Sequence, residues 1–332
     1  MVMKKDVLTV ELGKYKVNVP YLEFKGAQDG PHIFLSGGMH GDEVNGIAAI
    51  HYLREWFLKD DIEKDLAGRI TMFPVLNPSG FAHMQRQVYE DNNDLNRSFG
   101  VDDPKTFAEQ IAYDLTHKIL KECEFGIDFH DSGSRKAFVP HSRMHKGEKS
   151  GCTRELAQLF GTDIIIERQG HERMMSVALH RQFDMPVLTV EMGGAQRIFK
   201  EYLKVAKHGV RNFLRAKKML AGSIMLPDKQ YFLEDRYGVI IKAPATVSFD
   251  VNLGDFVHRS ERIGEIYYPL TQENEEIVAT SCGYILARWM ESQIPEGESI
   301  YDILATENCH PDGSSEEKAA LMQRLDISKI EM

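Results

Sequence analysis

Four short runs in this 332-residue chain end an apolar or turn-rich stretch on residues able to do acid–base or metal chemistry. In IFLSGGMHGDEVNGIAAIHYL (33–53) a strand-like segment gives way to glycines and then delivers His40 and Glu43 just before a helical pattern. Ligands collect at the carboxyl ends of strands in open α/β sheets, and a turn there can aim residues i and i+3 at one ion. An imidazole and a carboxylate are two of the three protein ligands that a catalytic zinc usually takes, so a second histidine is needed. His130 is the natural candidate, because it follows the strand-like FGIDF directly. Asp128, two residues earlier on the same side of that strand, is placed to orient a ligating ring.

The third run, FPVLNPSGFAHMQRQVYEDNNDLNRSFG (73–100), follows a strand and is rich in turn-formers, which predicts an ordered loop at the same edge. Within it Asn96 and Arg97 can hold an anionic substrate group, and Arg86 a carbonyl oxygen, because a guanidinium stays charged and forms a two-point fork to oxygen. The fourth, MPVLTVEMGG (185–194), is a continuous apolar strand ending on Glu191. A half-buried carboxylate beside an activated water can take its proton and return it to a leaving amine. Each run also has a bland reading: a chance His–Glu pair, a solvated loop arginine, a glutamate paired with a lysine at a sheet rim.

The elements that must position these residues are those of an α/β sheet. Apolar runs predict strands over Ile33–Ser36, Arg69–Pro74, Phe125–Phe129, Asp163–Ile166 and Val187–Glu191, and amphipathic runs predict helices over Asn45–Leu58, Pro104–Glu122, Thr153–Phe160 and Ile198–Leu220. From about Leu226 the texture changes to short alternating segments broken by glycine, proline and asparagine, as in all-β structure. Two stretches there resemble each other, APATVSFDVNLGDFVHRSERIGEIY from Ala243 and ATSCGYILARWMESQIPEGESIYDI from Ala279, which predicts a small hammerhead-like barrel of two half-repeats. The link between them, PLTQENEE (269–276), has no lysine to modify, so a carrier role is excluded. The organisation expected is a catalytic domain over 1–222, an all-β domain over 223–306, and a polar tail over 307–332 with one short helix capped by Ser314 and Glu317.

Acidic residues outnumber basic ones, 50 against 40, and a net charge of -10 offers no basic footprint for nucleic acid. Cys123, Cys152, Cys282 and Cys309 are scattered, with no CxxC pair, and read as reduced thiols. The N-terminal MVMKKDVLTVELGKYKV lacks an apolar signal core and no run reaches membrane-spanning length, so a cytoplasmic protein without membrane partners is expected.

Taken in this order, HGDE, NPSG, DLNR, DFH and VEMGG make the chain similar to the succinylglutamate desuccinylase/aspartoacylase family of the zinc carboxypeptidase clan, over about residues 30–220. The resemblance implies a mixed sheet flanked by helices with a smaller all-β C-terminal domain. It implies one Zn2+ per chain on His40, Glu43 and His130, Glu191 as catalytic carboxylate, and Asn96 and Arg97 on the substrate's terminal carboxylate. Arg86 would partner the oxyanion of the reaction. The activity implied is hydrolysis of a small N-acyl amino acid by a metal-activated water, in a protein free to form homo-oligomers; a small-peptide metallocarboxypeptidase and an inactive ligand-binding relative are the alternatives. After the metal histidine this chain has Asp131, Ser132 and Gly133 where those branches tend to have small neutral residues. An added carboxylate would disfavour a dicarboxylic acyl group and welcome a basic one, which makes an N-acyl diamino acid as plausible as succinylglutamate.

Overall fold

The computed structural model describes residues 3–60, 62–145, 150–233 and 236–305. The chain opens with an antiparallel hairpin, β1 (Met3–Leu12) and β2 (Tyr15–Lys25). Then β3 (Gln28–Ser36) leads into α1 (Val44–Lys59), and after the single turn α2 (Ile62–Asp65) the chain returns as β4 (Ala67–Phe73), parallel to β3. Next come α3 (Pro78–Ala82), α4 (Phe107–Lys118), β5 (Phe125–His130), β6 (Lys136–His145), α5 (Ser150–Phe160), β7 (Ile164–Arg168), α6 (Met175–Phe183), β8 (Val187–Gly194) and α7 (Lys200–Ala216). The C-terminal strands are β9 (Tyr231–Leu233), β10 (Arg236–Tyr237), β11 (Ala245–Phe249), β12 (Phe256–Val257), β13 (Arg262–Tyr268), β14 (Glu273–Val278), β15 (Gly283–Trp289), β16 (Gln293–Ile294) and β17 (Tyr301–Ala305).

These strands make the mixed sheet flanked by helices that the sequence predicts. The main sheet runs β1-β2-β4-β3-β5-β8-β6-β15-β17-β10, with β7 beside β6 and β9, and β12 beside β15. Strands β4, β3, β5 and β8 are parallel, whereas β6 runs antiparallel to β8. Strict alternation assigns each residue to a face. Ile33, Leu35, Ile127, Phe129, Leu188, Val190 and Met144 pack with α1, α5 and α7 in one core, while Phe34, Phe73 and Val187 pack with α4, α6 and the hairpin in another. Ser36, Asp128, His130, Thr189, Glu191, Arg143 and His145 therefore lie on the α4/α6 face. A one-residue slip would send the polar set into the opposite core, and burying each Ile, Leu or Phe there contributes about 1.5–3 kcal/mol, so register is firmly held.

Every strand and helix expected between residues 33 and 220 is present, with ends moved by a few residues. The region 104–122 is divided: Thr106 and Glu109 form a capping box that starts α4, and a 3-10 turn follows over Leu120–Glu122. The hairpin β1–β2, strand β6 and helix α6 were not expected, nor were the short helices α2 and α3. The hairpin β1–β2 buries only part of its side chains, so charges interrupt every apolar run. Strand β6 contains Pro140, which sits at a register irregularity against β8 between Phe138 and His141, where a missing N–H is tolerated. Helix α6 has no capping side chain of its own; Asn96, 79 positions away, accepts from the N–H of Met175 instead.

The two half-repeats are visible as interlocked strand triplets. The first contributes β11, β12 and β13, the second β15, β16 and β17, and they pair crosswise, β11 with β16 and β12 with β15. A four-stranded sheet, β14-β13-β11-β16, faces β15 and β17 across a shared core that includes Val247, Ile266, Ile285, Trp289 and Ile303. This part is continuous with the main sheet, because Ala287, Arg288 and Trp289 pair with Phe138, Ala137 and Lys136 of β6. Cys123 is a buried free thiol, as expected, whereas Cys282 is disulfide-bonded, against the expectation; separation along the chain does not bound separation in space. The tail helix with Ser314 and Glu317 lies outside the described residues. No described helix is long and apolar enough to cross a membrane.

At the end of the sheet away from the strand C-termini, His32 is buried beside Thr71 and Arg69. Its Nδ1 lies 2.8 Å from an Arg69 guanidinium nitrogen and 2.9 Å from the Glu122 carbonyl oxygen, and its Nε2 lies 2.8 Å from the Thr71 hydroxyl. Burial and the Arg69 charge lower its pKa to about 4. A histidine whose pKa is depressed on folding takes up protons on unfolding, so its contribution is complete above about pH 6.5 and is lost as pH falls from there towards 4. Urea midpoints are therefore expected to drop between pH 7 and 5 in the wild type and to drop less in His32→Gln; equal slopes would refute this role.

Candidate active site

The loop after β3 carries His40 and Glu43 because two backbones meet there. A Cβ on Gly41 would lie 1.9 Å from the carbonyl carbon of Gly80, so the HGDE turn seats directly on α3 and only glycine fits. Helix α3 is fixed by Asn77, whose side chain accepts from the Gly80 N–H at 2.9 Å and donates to the Arg86 carbonyl. The NPSG motif is thus a cap that shapes the loop holding Arg86, Asp94, Asn96 and Arg97.

His40, Glu43 and His130 come together, with their ligand atoms all within 4.8 Å of one another, and all three are buried. Nδ1 of His40 stands 2.6 Å from one Glu43 oxygen and Nδ1 of His130 stands 2.8 Å from the other. The far nitrogen of each ring is held by a carboxylate: Asp128 accepts from His130 Nε2–H at 2.7 Å, and Asp94 accepts from His40 Nε2–H at 3.1 Å. Asp128 is itself positioned by the Ser36 hydroxyl at 2.7 Å. The expected orienting place of Asp128 is thus occupied, and Asp94 does the same for the second ring. Asp94 was missed from sequence, although it opens the DLNR motif.

These surroundings draw positive charge inward. Burial opposes a charge on His130, yet Asp128 and Glu43 raise its pKa well above the ordinary value. Burial likewise opposes ionisation of Asp94, but His40 and Arg86 hold its carboxyl well below the usual range. Two imidazoles with inward Nδ1 atoms, a shared carboxylate, and a carboxylate behind each ring fit a divalent cation such as zinc.

Glu191 lies in β8, every residue of which is buried, in register with His130 on β5. It is 5% exposed, and Arg143 of β6 pairs with its Oε1 at 2.8 Å, while Oε2 is buried with no partner among the described residues. Arg143 was also missed, because β6 was. Arg86 donates to Asp94 at 3.2 and 3.0 Å and stands 3.5 Å from Glu43. The side-chain carbonyl of Asn96 is taken by α6, so its NH2 is the side-chain group left to offer. Arg97 is exposed and donates to the backbone carbonyl of Asn96 at 2.8 Å. A cavity of about 360 Å³ is lined by His40, Glu43, Arg86, Asn96, Arg97, His130 and Glu191 together, and also by Arg143 and Arg168. Asp128 supports the site from behind.

Asp131 lines the same cavity but is not a free carboxylate. One oxygen accepts from the backbone and side-chain nitrogens of Asn45, both at 2.9 Å, and the other accepts from the Gly133 N–H at 2.7 Å. It ties the start of α1 to the loop after β5, so it gives no footing to the expectation of a basic substrate.

The family model for the succinylglutamate desuccinylase/aspartoacylase catalytic domain matches residues 29–217. N-alpha-acetyl-L-2,4-diaminobutyric acid deacetylase of Halomonas elongata is 27% identical over 284 residues, 82% of this chain and 81% of the relative. Among solved structures, a succinylglutamate desuccinylase of Silicibacter sp. TM1040 superposes with a TM-score of 0.78 at 21% identity, covering 91% of this chain and 95% of the other. The product-bound ectoine utilization protein EutE (DoeB) of Ruegeria pomeroyi does so with a TM-score of 0.78 at 24% identity and the same coverages. These last two likenesses are of fold.

Proposed function

This chain belongs to the succinylglutamate desuccinylase/aspartoacylase family, and from that premise we propose that it is a zinc-dependent deacylase hydrolysing the amide bond of a small N-acyl amino acid. The observation that carries this reading is the convergence of His40, Glu43 and His130 in one cavity with a Glu191 oxygen that has no partner among the described residues. The deacetylase named for the Halomonas elongata relative supports the same reaction class. When bound, zinc supplies Lewis acidity, polarising an amide carbonyl and making water a stronger acid.

The chain's own residues supply the rest. Asp94 and Asp128 accept from the Nε2–H groups and so keep the Nδ1 lone pairs of both histidines turned inward. Arg143 holds Oε1 of Glu191, and Oε2 takes a proton from the attacking water and passes it to the departing nitrogen. Arg97 and the NH2 of Asn96 grip the substrate carboxylate. Arg86, anchored on Asp94, offers its remaining N–H groups to the oxygen that becomes negative. No covalent enzyme intermediate is required.

Amine release from a panel of N-acyl amino acids tests the reading. A zinc-loaded protein that released none, yet cleaved peptides longer than three residues, would be a carboxypeptidase instead. Arg97→Lys is expected to raise KM at least about tenfold with a smaller change in kcat, because an ammonium cannot reproduce a two-point grip. An unchanged KM would put Arg97 outside the pocket.

A further inference from the structure

Resting on the deacylase reading, we propose that Asn45 is a positioning residue that fixes Glu43, His130 and Glu191 relative to one another. These three side chains come from segments far apart in the chain, and each segment meets Asn45 within a few residues. Asn45 is the second residue of α1, two after Glu43, and it is fully buried. Its NH2 donates to Asp131, the neighbour of His130, at 2.9 Å and to the Arg197 carbonyl at 2.8 Å. Its own carbonyl accepts from the Phe199 N–H at 3.0 Å. Arg197 and Phe199 lie in the connection from β8, which carries Glu191, to α7.

Each attachment answers a local deficit. Glu43 is the N-cap residue of α1 but makes no capping bond, because its carboxylate faces the two histidines. Asp131 takes over that task, accepting from the Asn45 backbone N–H at 2.9 Å with the same oxygen that holds the side chain. One carboxylate thus ties the segment after His130 to the turn that carries Glu43. The backbones leave no slack there: a Cβ on Gly46 would lie 2.3 Å from the Phe129 carbonyl oxygen, so α1 starts directly against β5.

Glu191 is least supported by the sheet on its C-terminal side. Its pairing with His130 is the last between β8 and β5, and on the other edge the ladder with β6 is irregular between Phe138 and His141. Three residues on, Gly194 and Arg197 close a turn whose central residues, Ala195 and Gln196, have φ of 54° and 50°. Positive φ at both centres is the type I′ arrangement, which favours asparagine and glycine; alanine and glutamine enter it at a steric cost. Ala-Gln has no preference for this turn, so surrounding contacts impose its shape. Asn45 grips it on both sides. Its amide packs on Gly193, where a Cβ would lie 2.7 Å from the Asn45 Cγ, and its hydrogen bonds hold Arg197 and Phe199.

Asn45→Asp in the full chain tests this, because it keeps the shape and the acceptor for Phe199 while removing both donations and setting a carboxylate beside Asp131. At saturating zinc, kcat for an N-acyl amino acid is expected to fall at least about tenfold, with KM within about threefold of wild type. Zinc affinity, read by competition with a chelator, is expected to fall about 10–100-fold. Ala195→Gly/Gln196→Gly supplies residues that accept positive φ without strain. Alone, that pair is expected to leave kcat unchanged; in the Asn45→Asp background it is expected to recover at least about threefold of kcat and none of the zinc affinity. An asparagine with a merely structural role would lower the melting temperature and leave kcat and zinc affinity of the folded protein intact, which overturns the proposal. An equal kcat loss with and without the glycines overturns the hold on the turn. If Asn45→Asp does not fold, Asn45→Ser, which keeps one donor and adds no charge, is read by the same measurements. If the wild type hydrolyses nothing, the deacylase reading fails, and zinc affinity alone decides: weakening upholds the tie between Glu43 and His130, and an unchanged value overturns it.

Discussion

Glu191→Gln is expected to lower kcat at least about a hundredfold while zinc content and KM stay close to wild type, the usual scale for losing a general base. Glutamine keeps the size of a side chain that is 5% exposed, and its carbonyl still accepts from Arg143. What it loses is the ability to take a proton at the oxygen that has no partner among the described residues. Asp131 is no substitute, even though burial and the nearby Glu43 raise its pKa to about 7, because Asn45 and Gly133 already occupy both oxygens. Steady-state kinetics with elemental analysis on the same sample check the result, and near-normal turnover would assign the base elsewhere.

The second large effect concerns the metal. His130→Ala and His40→Ala are each expected to fall from about one zinc ion per chain to nearly none, because two remaining ligands do not make a catalytic site. Asp128→Ala is expected to keep the ion but bind it about 10–100-fold more weakly, since His130 loses the carboxylate that fixes its ring. Dialysis and elemental analysis give the first result, and competition against a chromophoric chelator gives the second. Full zinc in either histidine variant would remove the proposed ligand set.

How much of this was legible in the sequence follows from range. Residues that end continuous apolar strands, His130 and Glu191, announce themselves because a parallel strand buried on both faces leaves an unbroken run. His40 and Glu43 share one turn and are legible together. Arg143 was not, because β6 mixes histidine, serine, arginine and Pro140 and shows no apolar run. Asp94 was hidden for another reason: a turn-rich loop offers many carboxylates, and only the fold shows that this one reaches back 54 positions to His40. Asp131 was legible as a carboxylate near the metal, but its commitment to Asn45, 86 residues earlier, was not. Helix α6 was lost because its cap comes from Asn96 rather than from a neighbour.

Strand β6 binds two partners along one edge, β15 at Lys136–Phe138 and β7 at Ser142–His145, while its other edge pairs with β8. The same strand presents Arg143 to Glu191 and sets His145 beside Arg168. Its first half is further clasped by Trp289, over which Arg135 and Lys136 lie, and by the Met290 N–H donating to the Arg135 carbonyl at 2.9 Å. Sequence drift near Trp289 is therefore chemical drift at the pocket. A slip of one residue there would turn Arg143 and His145 away from the cavity, so residues far along the chain act as custodians of which charges the substrate meets.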